Sequence, residues 1–202
     1  MDTHTRDKLL AQMSLKPSER QLEILNDDAR YKLVAGGVRG GKSRLAGAYM
    51  TLKILESIAN KTANPGDIYW LVAADYERTR AEFNYIGTDL GNLGLLGDMS
   101  KPINPGVLRL NACVCGEGRC NHEKIAIKTK SASDFKSLAM EAPAGIIGCE
   151  ASQLDLESFW RLEERLVEKR GWLMLEGTFE SSLGWYPEKY IHWSSPAVQK
   201  SE

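Results

Sequence analysis

The sequence predicts an α/β domain whose mostly parallel sheet is flanked by helices. Three observations predict it. Short apolar runs alternate with segments of helical period, a glycine-rich turn joins one such run to the helix after it, and 202 residues suit one well-buried domain better than two. Residues 1–20 are polar and charged and form an N-terminal helical segment, with Pro17-Ser18-Glu19 offering a turn and a helix start. Leu22, Ile24 and Leu25 supply the apolar side of the short helix that follows. "RYKLVAGG" then reads as a buried strand running into glycines. From Ser43 to about Asn60 the apolar residues keep a helical period.

Asn64-Pro65-Gly66-Asp67 is a turn, and "IYWLVAA" is a second buried strand. "DYERTRAEFNYIGTDL" starts on an N-cap candidate, Asp75, and continues as a helix. Gly87 to Gly106 is rich in Gly, Pro and Asn and reads as a loop or lightly structured stretch. "VLRL" and "KIAIKTKSA" form a strand pair, spanning 107–130, around a cysteine-rich tip. "AGIIG" is a short strand, "DLESFWRLEERLVEKR" a helix capped by Asp155, and "GWLMLEGT" a last strand. No internal repeat or low-complexity segment interrupts the pattern.

Composition excludes several classes. With 43% hydrophobic and 26% charged residues the chain is neither disordered nor fibrous. No apolar run approaches a membrane span, and no charged-then-apolar leader opens the sequence. A formal net charge of −1 gives no global pull toward nucleic acid, so DNA binding needs a local basic patch. Four cysteines without a signal peptide fit a reducing cytoplasm better than a disulfide framework.

The glycine turn carries the chemistry. Residues Gly36, Gly37, Val38, Arg39, Gly40, Gly41, Lys42 and Ser43 fit G-x-x-x-x-G-K-[ST], with a strand before and a helix after. Such a loop aims backbone N–H groups at phosphate oxygens, and the helix adds its N-terminal dipole. Lys42 reaches the β- and γ-phosphates of ATP, the Ser43 hydroxyl holds Mg²⁺, Arg44 follows in the first turn, and Arg39 stands beside the γ-phosphate as an internal charge stabiliser. This makes the fold a P-loop NTPase.

A hydrolase of this kind needs a second strand ending in acids, one to reach Mg²⁺ and its neighbour to polarise water. "GIIGCEAS" offers the strand and Glu150, which is placed to activate water. Its other acid is missing, since Cys149 is a thiol and a poor partner for hard Mg²⁺. Either metal binding rests on Ser43 and water, or the protein is weak or inactive as a hydrolase.

"ACVCGEGRCNHEK" places Cys113, Cys115, Cys120 and His122 within ten residues. Three thiolates and an imidazole suit tetrahedral Zn²⁺ in a structural role, with Gly116 and Gly118 letting the loop fold around the ion. Lys124, Lys128 and Lys130 recur nearby, and Lys128 and Lys130 share a strand face that either meets DNA phosphates or is simply solvated. Trp160, Trp172, Trp185 and Trp193 read as core or coupling-region packing.

Taken in order, the motifs resemble the ATPase half of the large terminase subunit, the DNA-packaging motor of tailed phages. "SERQLEIL" is similar to the segment whose glutamine, here Gln21, reads adenine in that family. "GGVRGGKS", "AADYERTRAEF", "GIIGCEASQLD" and "LMLEGTFESSLGWY" resemble its phosphate loop, the helix after its second strand, its acid pair and its coupling motif. In the last, Gly177 and Thr178 stand where they sense the γ-phosphate.

The resemblance implies an additional-strand fold of the RecA/helicase-like type and a single motor domain over 1–202, with the nuclease domain of complete terminases absent and no DNA cleavage expected. It implies double-stranded DNA, a portal protein and a small terminase subunit as partners, and a homo-oligomeric ring when assembled from chains that are monomers in isolation. The setting it implies is the bacterial host cytoplasm and, transiently, the procapsid portal vertex. Where the family often has a leucine-arginine-glycine triplet that supplies a trans-acting arginine, "SLAM" has Ala139. Arg78, Arg80, Arg161 and Arg165 are the alternative sources, although they read first as ordinary helix-surface arginines. A helicase-like remodelling ATPase and a nucleotide-binding assembly module remain the competing functions.

Overall fold

The computed structural model describes residues 2–101, 103–115, 120–179 and 184–194. Gly116 and Gly118, and residues 180–183 of the coupling stretch, lie outside them. The strands are β1 (Tyr31–Ala35), β2 (Ile68–Ala73), β3 (Leu96–Met99), β4 (Val107–Leu110), β5 (Ala126–Ser131), β6 (Gly145–Gly148) and β7 (Trp172–Gly177). The α-helices are α1 (Thr3–Gln12), α2 (Glu19–Asn26), α3 (Lys42–Ala59), α4 (Arg80–Asn92), α5 (Phe135–Ala139), α6 (Leu156–Leu166) and α7 (Trp185–Trp193).

All seven strands form one sheet in the order β1-β7-β6-β2-β5-β4-β3. The first five run parallel, and β4 and β3 extend the sheet antiparallel. The P-loop strand β1 is therefore separated from the acid strand β6 by β7, which is the additional strand expected from the sequence. Parallel strands need both faces covered, and β2 shows how this sequence does it. Tyr69, Leu71 and Ala73 pack into the core beneath α3 and α4, while Trp70 and Val72 pack into the core beneath α6 and α7.

Helix α3 is the centre of the first layer. Every residue from Leu45 to Leu52 is buried. Its neighbour α4 comes close because residue 47 is glycine: a Cβ there would stand 3.0 Å from Tyr85 Cβ and 3.6 Å from the Glu82 carbonyl oxygen. A bidentate ion pair locks the two helices, with Arg44 Nη1 and Nη2 each 2.8 Å from an oxygen of Asp89, which is 1% exposed. Arg44 also donates to the Met13 carbonyl at 2.7 Å, tying the N-terminal segment to the same point.

The caps follow the sequence. Ser18 and Gln21 form a reciprocal capping box on α2, Asp75 accepts from Arg78 N at 3.1 Å, and Asp155 accepts from Ser158 N at 2.6 Å. Three expectations change. The stretch from Gly87 to Gly106 is not a loop throughout: α4 runs on to Asn92, and β3 pairs with β4. Its apolar Leu96 and Met99 flank glycine and aspartate, so neither period was legible. The segment after Asp75 begins as a 3-10 turn over Tyr76–Thr79 before α4 starts. Trp160 is 53% exposed, whereas Trp172 and Trp185 pack as expected. Among the described residues no helix is long and apolar enough to cross a membrane.

Arg44→Ala leaves the Asp89 carboxylate buried without its partner, and should lower unfolding stability by about 3 kcal/mol in a urea titration. The conservative change Asp89→Asn should cost less, because it removes the stranded charge.

Candidate functional site

The phosphate loop is seated by the two strands it emerges between. Gly36 N–H donates to the Gly177 carbonyl at 3.2 Å, joining the end of β1 to the end of β7. The turn closes through Gly40 N–H to the Gly37 carbonyl at 3.2 Å. Arg39 takes a left-handed backbone (φ 63°) and is exposed. Gly41 also needs positive φ (76°), and a Cβ there would stand 3.1 Å from Gln21 Nε2, so a side chain is doubly disfavoured. Gly41 gives α3 no side-chain cap. The first amides of an eighteen-residue helix thus have no side-chain cap.

The sequence-predicted residues fall around this loop. Lys42 Nζ donates across it to the carbonyls of Gly36 and Gly37 at 3.1 and 3.0 Å. Gln21 lies against Gly41 by its amide nitrogen, while its Oε1 accepts from Ser18 N at 3.0 Å. Arg44 differs from the expectation of a nucleotide contact: its guanidinium is committed to Asp89 and Met13, leaving its backbone N–H for the loop. Val38 is 71% exposed at the crest. Thr178 is half-buried just past β7.

The acid strand has an arrangement the motifs did not foresee. Cys149 is fully buried, its Sγ 3.9 Å from the Ile147 carbonyl. Burial pushes its thiol well above the ordinary range, and the neighbouring Glu82 and Glu176 push it further. It is neutral and has no hard oxygen to offer a cation. Glu150 follows in a left-handed backbone (φ 47°), with its side chain half exposed. Two groups set its position: Arg78 Nη1 stands 2.5 Å from its carboxylate, and its own N–H donates to Glu176 Oε1 at 2.9 Å.

Glu82 and Glu176 were missed, and both are 1% exposed. Burial raises the Glu82 carboxyl, while the Ser43 hydroxyl and the Cys149 thiol act on it in the other direction. Burial also lifts Glu176 to about 7; the neighbouring Glu82 and Glu150 add to this, and Lys42 opposes it. A signal for Glu176 was present, since it is the lone acid in the apolar run "WLMLEG". Glu82 shares the buried face of α4 with Phe83, Ile86, Asp89 and Leu90, at spacings a helical reading could have tested.

The four arginines considered as alternatives, and two of the three lysines, have local partners. Arg78 also holds Asp75 at 2.9 Å, Arg80 holds Glu77 at 2.5 Å, Arg161 holds Glu157 at 2.6 Å, and Arg165 donates to the Ala139 carbonyl at 3.3 Å. Lys128 and Lys130 are not a solvated face. Both pair with Glu141, and Lys130 also lies 5.1 Å over the Trp70 ring.

At the tip between β4 and β5, the ligand atoms of Cys113, Cys115, Cys120 and His122 all lie within 4.8 Å of one another. Cys113 Sγ accepts from Cys115 N at 3.5 Å, a contact that lowers its thiol and favours the thiolate. Three half-buried thiols and one exposed imidazole converging in this way fit a tetrahedral zinc ion.

No known family profile matches the chain, and no curated protein matches it in sequence. Solved structures do. The large terminase ATPase domain of Thermus phage P74-26 superposes with a TM-score of 0.72 at 18% identity, over 92% of this chain and 73% of that one. The HK97 bacteriophage large terminase superposes with a TM-score of 0.61 at 11% identity, over 98% of this chain and 42% of that one. The large terminase of a thermophilic bacteriophage, solved in complex with ADP, gives 0.59 at 12% identity, over 79% of this chain and 38% of that one. The chain thus has the P-loop NTPase fold of phage large terminase ATPase domains, and spans about two-fifths of the longer terminase chains.

Glu176 yields a pH prediction. Its folded-state value of about 7 lies above the ordinary 4.5 of the unfolded chain. Between those values the unfolded state loses a proton that the folded state keeps, so stability falls as pH rises through this window and levels off above it. Glu176→Gln should therefore be more stable than wild type at pH 8, by an order-of-magnitude 3 kcal/mol at most. The gap should close toward pH 4.5 in thermal melts.

Proposed function

We propose that this chain is the ATP-hydrolysing motor domain of a phage large terminase, working as a ring at a portal to translocate double-stranded DNA into a procapsid. The single observation that carries the reading is the uncapped N-terminus of α3 under the glycine loop, with Lys42 on the loop and Glu150 held at the end of β6. The fold shared with terminase ATPase domains, one of them solved with ADP, supports it.

In this reading the loop amides and Lys42 bind the β- and γ-phosphates, Arg39 adds charge at the exposed crest, and Gln21 with Val38 borders the nucleotide. Glu150 orients the attacking water and accepts its proton, and Arg78 and Glu176 fix where that carboxylate stands. Mg²⁺, when bound with the nucleotide, supplies charge neutralisation on the phosphates, with the Ser43 hydroxyl among its ligands. Gly177 and Thr178 lie where a change at the γ-phosphate reaches β7, because Gly177 already bonds the first residue of the loop. The Cys₃His tip holds structural zinc. The small terminase subunit and portal are the proposed partners, and the host cytoplasm the proposed setting. DNA contacts fall away from Lys128 and Lys130, whose ammonium groups are both engaged by Glu141.

A second reading is a nucleotide-binding assembly module without turnover, favoured by the neutral, buried Cys149. ATPase assays with and without duplex DNA separate the two. The motor reading expects wild-type turnover that DNA stimulates, and a loss of about 10²-fold or more in Glu150→Ala. Lys42→Ala should abolish nucleotide binding as well. A wild type that binds ATP without turning it over, and gains turnover in Cys149→Asp, would instead establish the module.

The tip makes its own prediction. Purified protein should carry one zinc per chain by elemental analysis. Cys115→Ser should lose it and unfold at lower temperature, and a wild type without stoichiometric metal contradicts the assignment.

A further inference from the structure

Glu82 has an unexplained oxygen. The side chain sits in the first turn of α4 and is 1% exposed, yet its Oε2 has no hydrogen-bond partner among the described residues. A buried acceptor left unmade costs about 1–3 kcal/mol, and more when charged. Buried polar groups in folded proteins are otherwise paired, so such an exception calls for a role. Its surroundings suggest one. Burial apart, the side chains that act on its carboxyl are the Ser43 hydroxyl, the Cys149 thiol and Glu150, and the first two stand where a P-loop hydrolase assembles its metal ligands.

The fold brings Glu82 there by construction. Gly47 lies one turn after Ser43 on α3, and its missing Cβ lets the backbone of Glu82 and the Cβ of Tyr85 approach that turn. Arg44 and Asp89 then lock the two helices in this spacing. Cys149 cannot fill the ligand role itself, being fully buried and a soft donor. An unpaired carboxylate oxygen and a hydroxyl, both hard donors, are what Mg²⁺ requires.

We propose that Glu82 is the carboxylate that holds Mg²⁺ with Ser43 at the nucleotide site, supplied by α4 in place of the acid that β6 lacks. The inference rests on the nucleotide reading of the loop. It also explains why a thiol is tolerated at 149: a carboxylate there would be a further buried acid beside Glu82 and Glu176.

The test measures metal affinity independently of turnover. Mn²⁺ serves as the probe, read by electron paramagnetic resonance in the presence of ATP-γ-S, alongside ATP-γ-S affinity in EDTA. Glu82→Gln should weaken Mn²⁺ binding by about tenfold or more and leave ATP-γ-S affinity in EDTA unchanged. Adding Cys149→Asp to Glu82→Gln should restore Mn²⁺ affinity, a rescue that a merely structural role would not produce. Circular dichroism checks folding. If Glu82→Gln does not fold, Glu82→Asp keeps the charge but withdraws it by one methylene, and should lose Mn²⁺ affinity while keeping nucleotide affinity in EDTA. Wild-type Mn²⁺ affinity in the folded variant would overturn the role of Glu82 alone. A wild type that binds no ATP-γ-S in either medium would overturn the nucleotide reading, and the Glu82 role with it.

Discussion

The burial of α3 between the sheet and α4 is the constraint on which the rest depends. A helix with every residue from Leu45 to Leu52 buried cannot slide or rotate without opening the core. Its N-terminus is thereby fixed at the end of β1, where the glycine loop must turn. The loop is held from the other side by one bond, Gly36 N–H to the Gly177 carbonyl, which makes β7 a structural partner of the phosphate cradle. Placing β7 between β1 and β6 also sets Glu176 beside Glu150. The glycine loop, Glu150 and the exit of β7 thus share one rigid frame.

That frame concentrates acid. Glu82, Glu150 and Glu176 converge on Lys42, Ser43 and Cys149 from three different elements. Two of the carboxyls are buried; Glu82 adds to the rise at Glu176, and Glu150 adds to the rise at Glu82. Lys42 already opposes the upward push on Glu176, and a metal–nucleotide complex would act in the same direction. Perturbed groups clustered at a glycine loop are a usual mark of a working site.

The layered sheet was legible because its signals are local: β1, β2, β6 and β7 are short apolar runs, and Asp75, Ser18 and Asp155 announce their helices. The loop was legible because its glycines and lysine have fixed spacing. The cysteine tip was legible for the same reason. What sequence could not give were facts of tertiary approach. The closeness of α3 and α4 turns Glu82 from a helix acid into a site residue, and Arg44 from a loop neighbour into a helix lock. Likewise Glu141, eleven residues beyond Lys130, pairs with both lysines of a strand face that looked free and basic. The motif reading set a thiol, Cys149, where a second acid was expected, and only the fold brings the buried Glu82 near it.

The most direct measurement is a crystal structure of the chain with Mg²⁺ and ATP-γ-S. The account predicts phosphates on the amides of residues 40–44, Lys42 turned from the Gly36 and Gly37 carbonyls onto them, Ser43 and Glu82 at the metal, and Glu150 facing the γ-phosphate. Nucleotide bound away from the loop, or a metal shell with neither Ser43 nor Glu82 in or beside it, would contradict it.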